Sequence, residues 1–165
     1  ESTSWILSVL KEQKIKATFF LVGEQIKRFP KIFNKIKKEG HVIGNHSFSH
    51  LNGWKTCVKK YITDVERCQK LMPNNNLFRP PYGKLTPMQI IRLKTKYKII
   101  LWDILTLDYK KDINSKKIKI NTLKNIENGS IIVFHNNQSA YKLKPILKEI
   151  IIQLKEEGYK FDTTW

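Results

Sequence analysis

Two histidines four residues apart, His46 and His50, close the stretch GHVIGNHSFSH, with only Ser47, Phe48 and Ser49 between them. At that spacing two imidazoles can sit one helical turn apart, with Cβ atoms about 5–6 Å from each other. Neutral imidazoles so placed can chelate a divalent metal, and zinc suits them. Two surface histidines capping a loop would leave the same pattern, and a catalytic metal asks for a third protein ligand and an open position. The chain has 4 histidines: His41 lies in the same stretch, and His135 ends SIIVFH far downstream. A strand-end histidine is either a satisfied core residue or, oriented by a carboxylate, a general acid near neutral pH. Asp103 and Asp108 both qualify by spacing as that carboxylate. Arg79-Pro80-Pro81-Tyr82-Gly83 is a rigid turn, or a device that aims an arginine at a carboxylate and a backbone N–H at an oxyanion.

Short apolar strands alternating with helices must position these residues, which argues for a parallel α/β arrangement. The strand signals are KATFFLV, HVIGN, the short LF, KIILWDIL and SIIVFH. The helix signals are SWILSVLKEQ, Pro30 to about Glu39 with Gly40 as terminator, GWKTCVKKYITDVERCQKLM, TPMQIIRLKTKY, SKKIKINTLKNIENG and LKPILKEIIIQLKEEG. Four strands run straight into NHSFSH, RPPYG, the Asp103 to Asp108 region and His135-Asn136. In parallel α/β folds the carboxyl ends of strands gather on one face, where sites form. Four weak local signals thereby become one candidate site.

At 165 residues, 41% hydrophobic and 11% aromatic, the chain reads as one globular domain, and no apolar run approaches a membrane span. The net charge of +17 is carried mostly by lysine, with arginine only at Arg28, Arg67, Arg79 and Arg92. Lysines spread singly along helix faces read as a solvated surface, and specific nucleic-acid binding is not expected. Cys57 and Cys68, placed on one helix, would stand about 16 Å apart, too far for a disulfide, and read as buried reduced thiols. The N-x-S sequons at Asn45, Asn128 and Asn137 read as chance in an asparagine-rich chain.

Taken in order, KATFFLVGEQIKRFPKIFNKIKKEGHVIGNHSFSH, LFRPPYGK, ILWDILTLDY and GSIIVFHN resemble the polysaccharide deacetylases of the NodB-homology group, carbohydrate esterase family 4, over essentially the whole chain. The resemblance implies a distorted (β/α) barrel and metal-dependent hydrolysis of N- or O-acetyl groups on a carbohydrate polymer. It makes His46 and His50 metal ligands; the ion expected is divalent, with zinc favoured by the imidazole chemistry above. Arg79 pairs with the catalytic base, and the Tyr82 N–H is the oxyanion donor. His135 is the general acid, supported by Asp108; Pro81 and Tyr109, the latter where Trp is usual, line the substrate pocket. Asn136 stands where aspartate is common and Val133 where leucine is common.

One departure matters more. The family opens with a T-F-D-D-G-like strand end that supplies the general base and the third metal ligand, and this chain starts at Glu1, just past that point. The expectation is a domain over 1–165 that lacks its first strand, with both aspartates upstream of Glu1, since a parallel barrel without that strand would leave two edges unpaired. The expected protein is a monomer acting on an acetylated polysaccharide at the cell envelope or outside the cell. Two other readings stand beside it: an inactive carbohydrate-binding relative of the same fold, and a nucleic-acid binder whose affinity would fall steeply with salt.

Overall fold

The aromatic and β-branched run of KATFFLV forms the first strand, β1 (Thr18–Leu21), and a second strand, β2 (Val42–Asn45), pairs with it in parallel from Thr18 opposite Val42 to Leu21 opposite Asn45. The computed structural model describes residues 2–136 and 138–165. They fall into two units, residues 17–101 and residues 1–16 with 102–165.

The unit of residues 17–101 is a four-stranded parallel sheet in the order β1-β2-β3-β4, where β3 is Leu77–Phe78 and β4 is Lys98–Ile99. Helices α2 (Gly23–Arg28) and α3 (Pro30–Lys38) connect β1 to β2, α4 (Val58–Gln69) leads to β3, and α5 (Pro87–Leu93) leads to β4. Every strand therefore pairs with its successor through a helical crossover. Pro30 occupies the first turn of α3, as expected, and Thr86 opens α5 with a capping box closed by Gln89. Helix α4 buries Tyr61, Asp64, Val65 and Cys68, a stripe at helical spacing. Tyr61 and Val65 pack with Phe78, Leu93 and Tyr97 in one apolar cluster, and Cys68 packs with Ile26, Phe48 and Met72 in another.

The second unit holds α1 (Ser2–Glu12), β5 (Ile104–Leu105), α6 (Ser115–Leu123), β6 (Ile132–Val133) and α7 (Leu147–Glu156). Strands β5 and β6 pair in parallel, Ile104 with Ile132 and Leu105 with Val133. No helix among the described residues is long and apolar enough to cross a membrane.

Several boundaries differ from the sequence expectation, each for a local reason. KIILWDIL is two short strands because the carbonyls of Ile100 and Leu101 accept from the Arg79 guanidinium, at 3.3 Å from Nε and 2.7 Å from Nη2. Helix α6 stops at Leu123, before Gly129, because Ser130 closes a turn on Glu127 through both its side chain and its backbone. Helix α7 starts at Leu147 because Pro145 disfavours helical backbone at the residue before it. Helix α2 was not expected at all. Cys57 is the exposed N-cap of α4, not a buried thiol within it; Cys68 is buried, and both are free. Asn45 is fully buried and its amide is spent on Val65 O and Gln69 Oε1, which rules out glycosylation there; Asn128 is exposed, and Asn137 lies outside the described residues.

Burial pushes the Cys68 thiol up to about 12 and also raises the Tyr61 phenol. Both groups hold their protons more tightly folded than unfolded. Their contribution to stability is complete below the unfolded values and is lost as pH climbs through the folded ones. A thiol reagent at pH 8 should therefore label Cys57 and spare Cys68 in the native protein, and the urea midpoint should fall between about pH 9 and pH 11. Mass spectrometry of the labelled peptides reads the first; equal labelling of both thiols would contradict the burial.

Candidate active site

Register places the first group of residues. Asn45, the last residue of β2, pairs with Phe78, the last of β3, so the residues that leave the two strands, His46 and Arg79, emerge side by side. His46 Nδ1 lies 2.6 Å from the Arg79 carbonyl oxygen. A carbonyl can only accept, so Nδ1 carries the proton and Nε2 keeps the lone pair that a metal would use. The rings of His46 and His50 are 5.0 Å apart between centroids at 70°, and the His50 ring meets Tyr82 at 4.8 Å. His46 and His50 thus fit as two imidazole ligands, with the tautomer of the first already set. Among the described residues no three His, Cys, Asp or Glu side chains cluster for a metal.

Between the two histidines the chain is a tight turn, not a helix, with Ser47 at φ 61° and His50 at φ 54°. It is held by carboxylate and amide oxygens. Asp64 Oδ2 on α4 accepts from the N–H groups of Phe48 (2.9 Å) and Ser49 (3.0 Å), and Asn45 Oδ1 accepts from Ser47 N–H (2.9 Å). Asp64 had no role in the sequence reading. Its signal was present, because an aspartate in the apolar stripe of an amphipathic helix must meet a buried donor. Asp64→Ala would orphan two N–H groups and should cost roughly 2–4 kcal/mol in urea unfolding. Asp64→Asn, which keeps one acceptor, should recover part of that loss; equal stability of the alanine variant and wild type would show that the turn stands without the carboxylate.

In the RPPYG turn the hydrogen bonds run from Gly83 N–H to Pro80 O (3.0 Å) and from Lys84 N–H to Pro81 O (3.2 Å), and they leave the Tyr82 N–H out. Tyr82 itself is left-handed at φ 61°, ψ 6°, while Pro81 is buried. The Arg79 guanidinium is buried over the Phe20 ring at 4.2 Å and donates to two carbonyls. Among the described residues no carboxylate pairs with it, and burial lowers its pKa to about 10.

The second group lies in the other unit. Asp108, 1% exposed, uses both carboxylate oxygens. Oδ1 is 2.8 Å from His135 Nδ1 and 3.0 Å from the Thr106 hydroxyl, whose one proton is shared with Val133 O, and Oδ2 accepts from the His135 N–H at 2.7 Å. The carboxylate fixes Nδ1 as the donor, so Nε2 is the nitrogen left to exchange a proton with a substrate. Leu107, next to Asp108, is left-handed at φ 60°. The Tyr109 ring meets the His135 ring edge-on at 4.8 Å. Asp103, the other candidate by spacing, spends its carboxylate on the Ile131 N–H at 2.8 Å.

A polysaccharide deacetylase family model matches residues 1–98, more than half of the chain. The chain belongs to the polysaccharide deacetylase family. A peptidoglycan-N-acetylglucosamine deacetylase of Bacillus cereus is 34% identical over 99% of this chain and 62% of that protein, so the chain spans about three-fifths of this curated relative. The crystal structure of the Bc1960 peptidoglycan N-acetylglucosamine deacetylase matches 99% of this chain and 79% of its own with a TM-score of 0.93 at 34% identity. A BA3943 mutant, described as a CE4 family pseudoenzyme with restored enzymatic activity, matches 97% of this chain and 60% of its own with a TM-score of 0.82 at 25% identity. The fold of this polysaccharide deacetylase chain is accordingly the α/β fold of the NodB-homology type.

Proposed function

We propose that the chain is the catalytic domain of an enzyme that removes N-acetyl groups from peptidoglycan, with N-acetylglucosamine as the first sugar to test. The observation that carries this reading is the Asp108–His135 pair. Two bonds from one buried carboxylate hold both the ring and the backbone of a single histidine, an investment that a surface histidine does not need. The names of the relatives supply the sugar.

His135 Nε2 would give a proton to the amine nitrogen as the bond from that nitrogen to the acetyl carbon breaks, and Asp108 would keep the cationic ring in place. The Tyr82 N–H, unused by its own turn, would donate to the oxygen of the acetyl carbonyl as it gains charge. Pro81 and Tyr109 would offer apolar surface to the acetyl methyl. Arg79, buried with carbonyl partners, would hold the carboxylate that takes the proton from the attacking water. A bound divalent ion, zinc by the preference of neutral imidazoles, would supply Lewis acidity at the carbonyl and water, with His46 and His50 among its ligands.

The test is acetate release from peptidoglycan by the full-length protein, with and without chelator. Acetate that appears, stops with chelator and returns with zinc supports the reading. A protein that binds the polymer and releases none is the inactive carbohydrate-binding relative.

A further inference from the structure

Trp54 is 65% exposed, yet it is held by several specific contacts. Its indole N–H donates to Leu85 O at 3.2 Å, and the Lys84 ammonium lies 4.6 Å from its ring centroid. Its backbone N–H is capped by Asn52 Oδ1 at 3.0 Å. The short turn that carries it, Gly53–Lys55, is anchored by the fully buried Gln89, whose Nε2 donates to Gly53 O and Thr56 O at 3.0 Å each. Gly53 lets that turn lie directly on the chain around Lys84: a Cβ there would meet Lys84 O at 2.1 Å. Two loops are thus bolted together, one leaving His50 and one leaving Tyr82, and what they jointly present to solvent is a half-open indole with an ammonium over one of its faces.

We propose that Trp54 and Lys84 form a sugar-binding subsite for a carboxylate-bearing amino-sugar polymer, a specificity that rests on the deacetylase reading above. An indole offers flat apolar area to the C–H face of a pyranose, and fixing it beforehand removes the ordering cost that weakens mobile contacts. Lys84 has no carboxylate partner among the described residues, and it selects for an anionic group next to the stacked ring. The chain's net charge of +17 favours the same class of polymer at longer range. Trp54 follows His50 by four residues and Lys84 follows Tyr82 by two, so the subsite belongs to the same loops that present the candidate chemistry, and it would hold a sugar neighbouring the one that reacts.

Calorimetry on the full-length protein tests this with three probes: a neutral N-acetylglucosamine oligomer, an equally long oligomer that alternates N-acetylglucosamine with N-acetylmuramic acid, and polyglutamate. The alternating oligomer is expected to bind more tightly than the neutral one. Trp54→Ala should weaken both sugars about tenfold, and Trp54→Phe should retain most of the affinity. Lys84→Gln should weaken only the acidic sugar, by an amount that shrinks as salt rises. Unchanged sugar affinity in Trp54→Ala overturns the subsite, and so does polyglutamate binding as tightly as the acidic oligomer, which would mean charge attraction alone. Acetate release by the wild type, measured in parallel, separates the two claims. Turnover with no effect of Trp54 refutes the subsite only, and Trp54-dependent binding without turnover refutes the catalysis only.

Discussion

Asp108→Asn in the full-length protein is expected to lower kcat by about 10²–10⁴-fold, the range that a positioned general acid contributes, with KM little changed. The carboxylate meets three donors: the His135 ring, the His135 N–H and the Thr106 hydroxyl. An amide can present only one oxygen. If its NH2 takes the Oδ2 place, it faces the His135 N–H. If it takes the Oδ1 place, it faces the ring, and the ring must turn Nδ1 into an acceptor, which moves the proton to Nε2 and removes the charge the acid needs. The first arrangement breaks a bond within the buried pair and the second displaces the Thr106 hydroxyl, so some loss of stability should accompany the loss of rate. Thr106→Val, which removes one donor and keeps the carboxylate, should cost far less. Steady-state kinetics on an acetylated oligosaccharide decides the matter, and a kcat within tenfold of wild type would remove His135 from the acid role.

The second large effect is on metal. If His46 and His50 are direct ligands, as proposed, His46→Ala and His50→Ala should each weaken zinc binding by more than the about 10–100-fold that an outer-shell partner is worth. Calorimetric titration with zinc, or metal content after dialysis, reads this without reference to activity. His135→Ala belongs in the same experiment and should retain its metal. A full complement of zinc in His46→Ala would mean that the His46–Arg79 contact serves the loop and not an ion. Loss of zinc in His135→Ala would overturn the division of roles between the two histidine groups.

The positions of strands and helices were legible because apolar periodicity and caps such as Thr86-Pro87 and Pro30 act locally. His46, Arg79 and His135 were legible as strand-end residues for the same reason. What spacing alone could not carry was the choice between Asp103 and Asp108, which the family resemblance made in favour of Asp108. Both are strand-end aspartates five residues apart, and only the pairing of β5 with β6 shows which meets the ring. The break in KIILWDIL was hidden because it depends on a guanidinium 21 residues earlier in the chain. Trp54 was passed over because an exposed tryptophan inside a helical pattern looks like any other residue of that helix until the turn that holds it is seen.

Among the described residues, five other than glycine adopt left-handed backbone, and four of them, Ser47, His50, Tyr82 and Leu107, sit within the segments that carry the candidate chemistry. Each such residue costs about 1–3 kcal/mol against an ordinary conformation. An engineer seeking heat tolerance would find these positions first, since glycine relaxes the backbone there at once. For Ser47 and Leu107 that exchange surrenders little beyond a side chain. At His50 and Tyr82 it deletes an imidazole or a phenol ring, two rings that meet each other, so under the proposed function this domain has a ceiling on thermal hardening set by the chemistry those rings would serve.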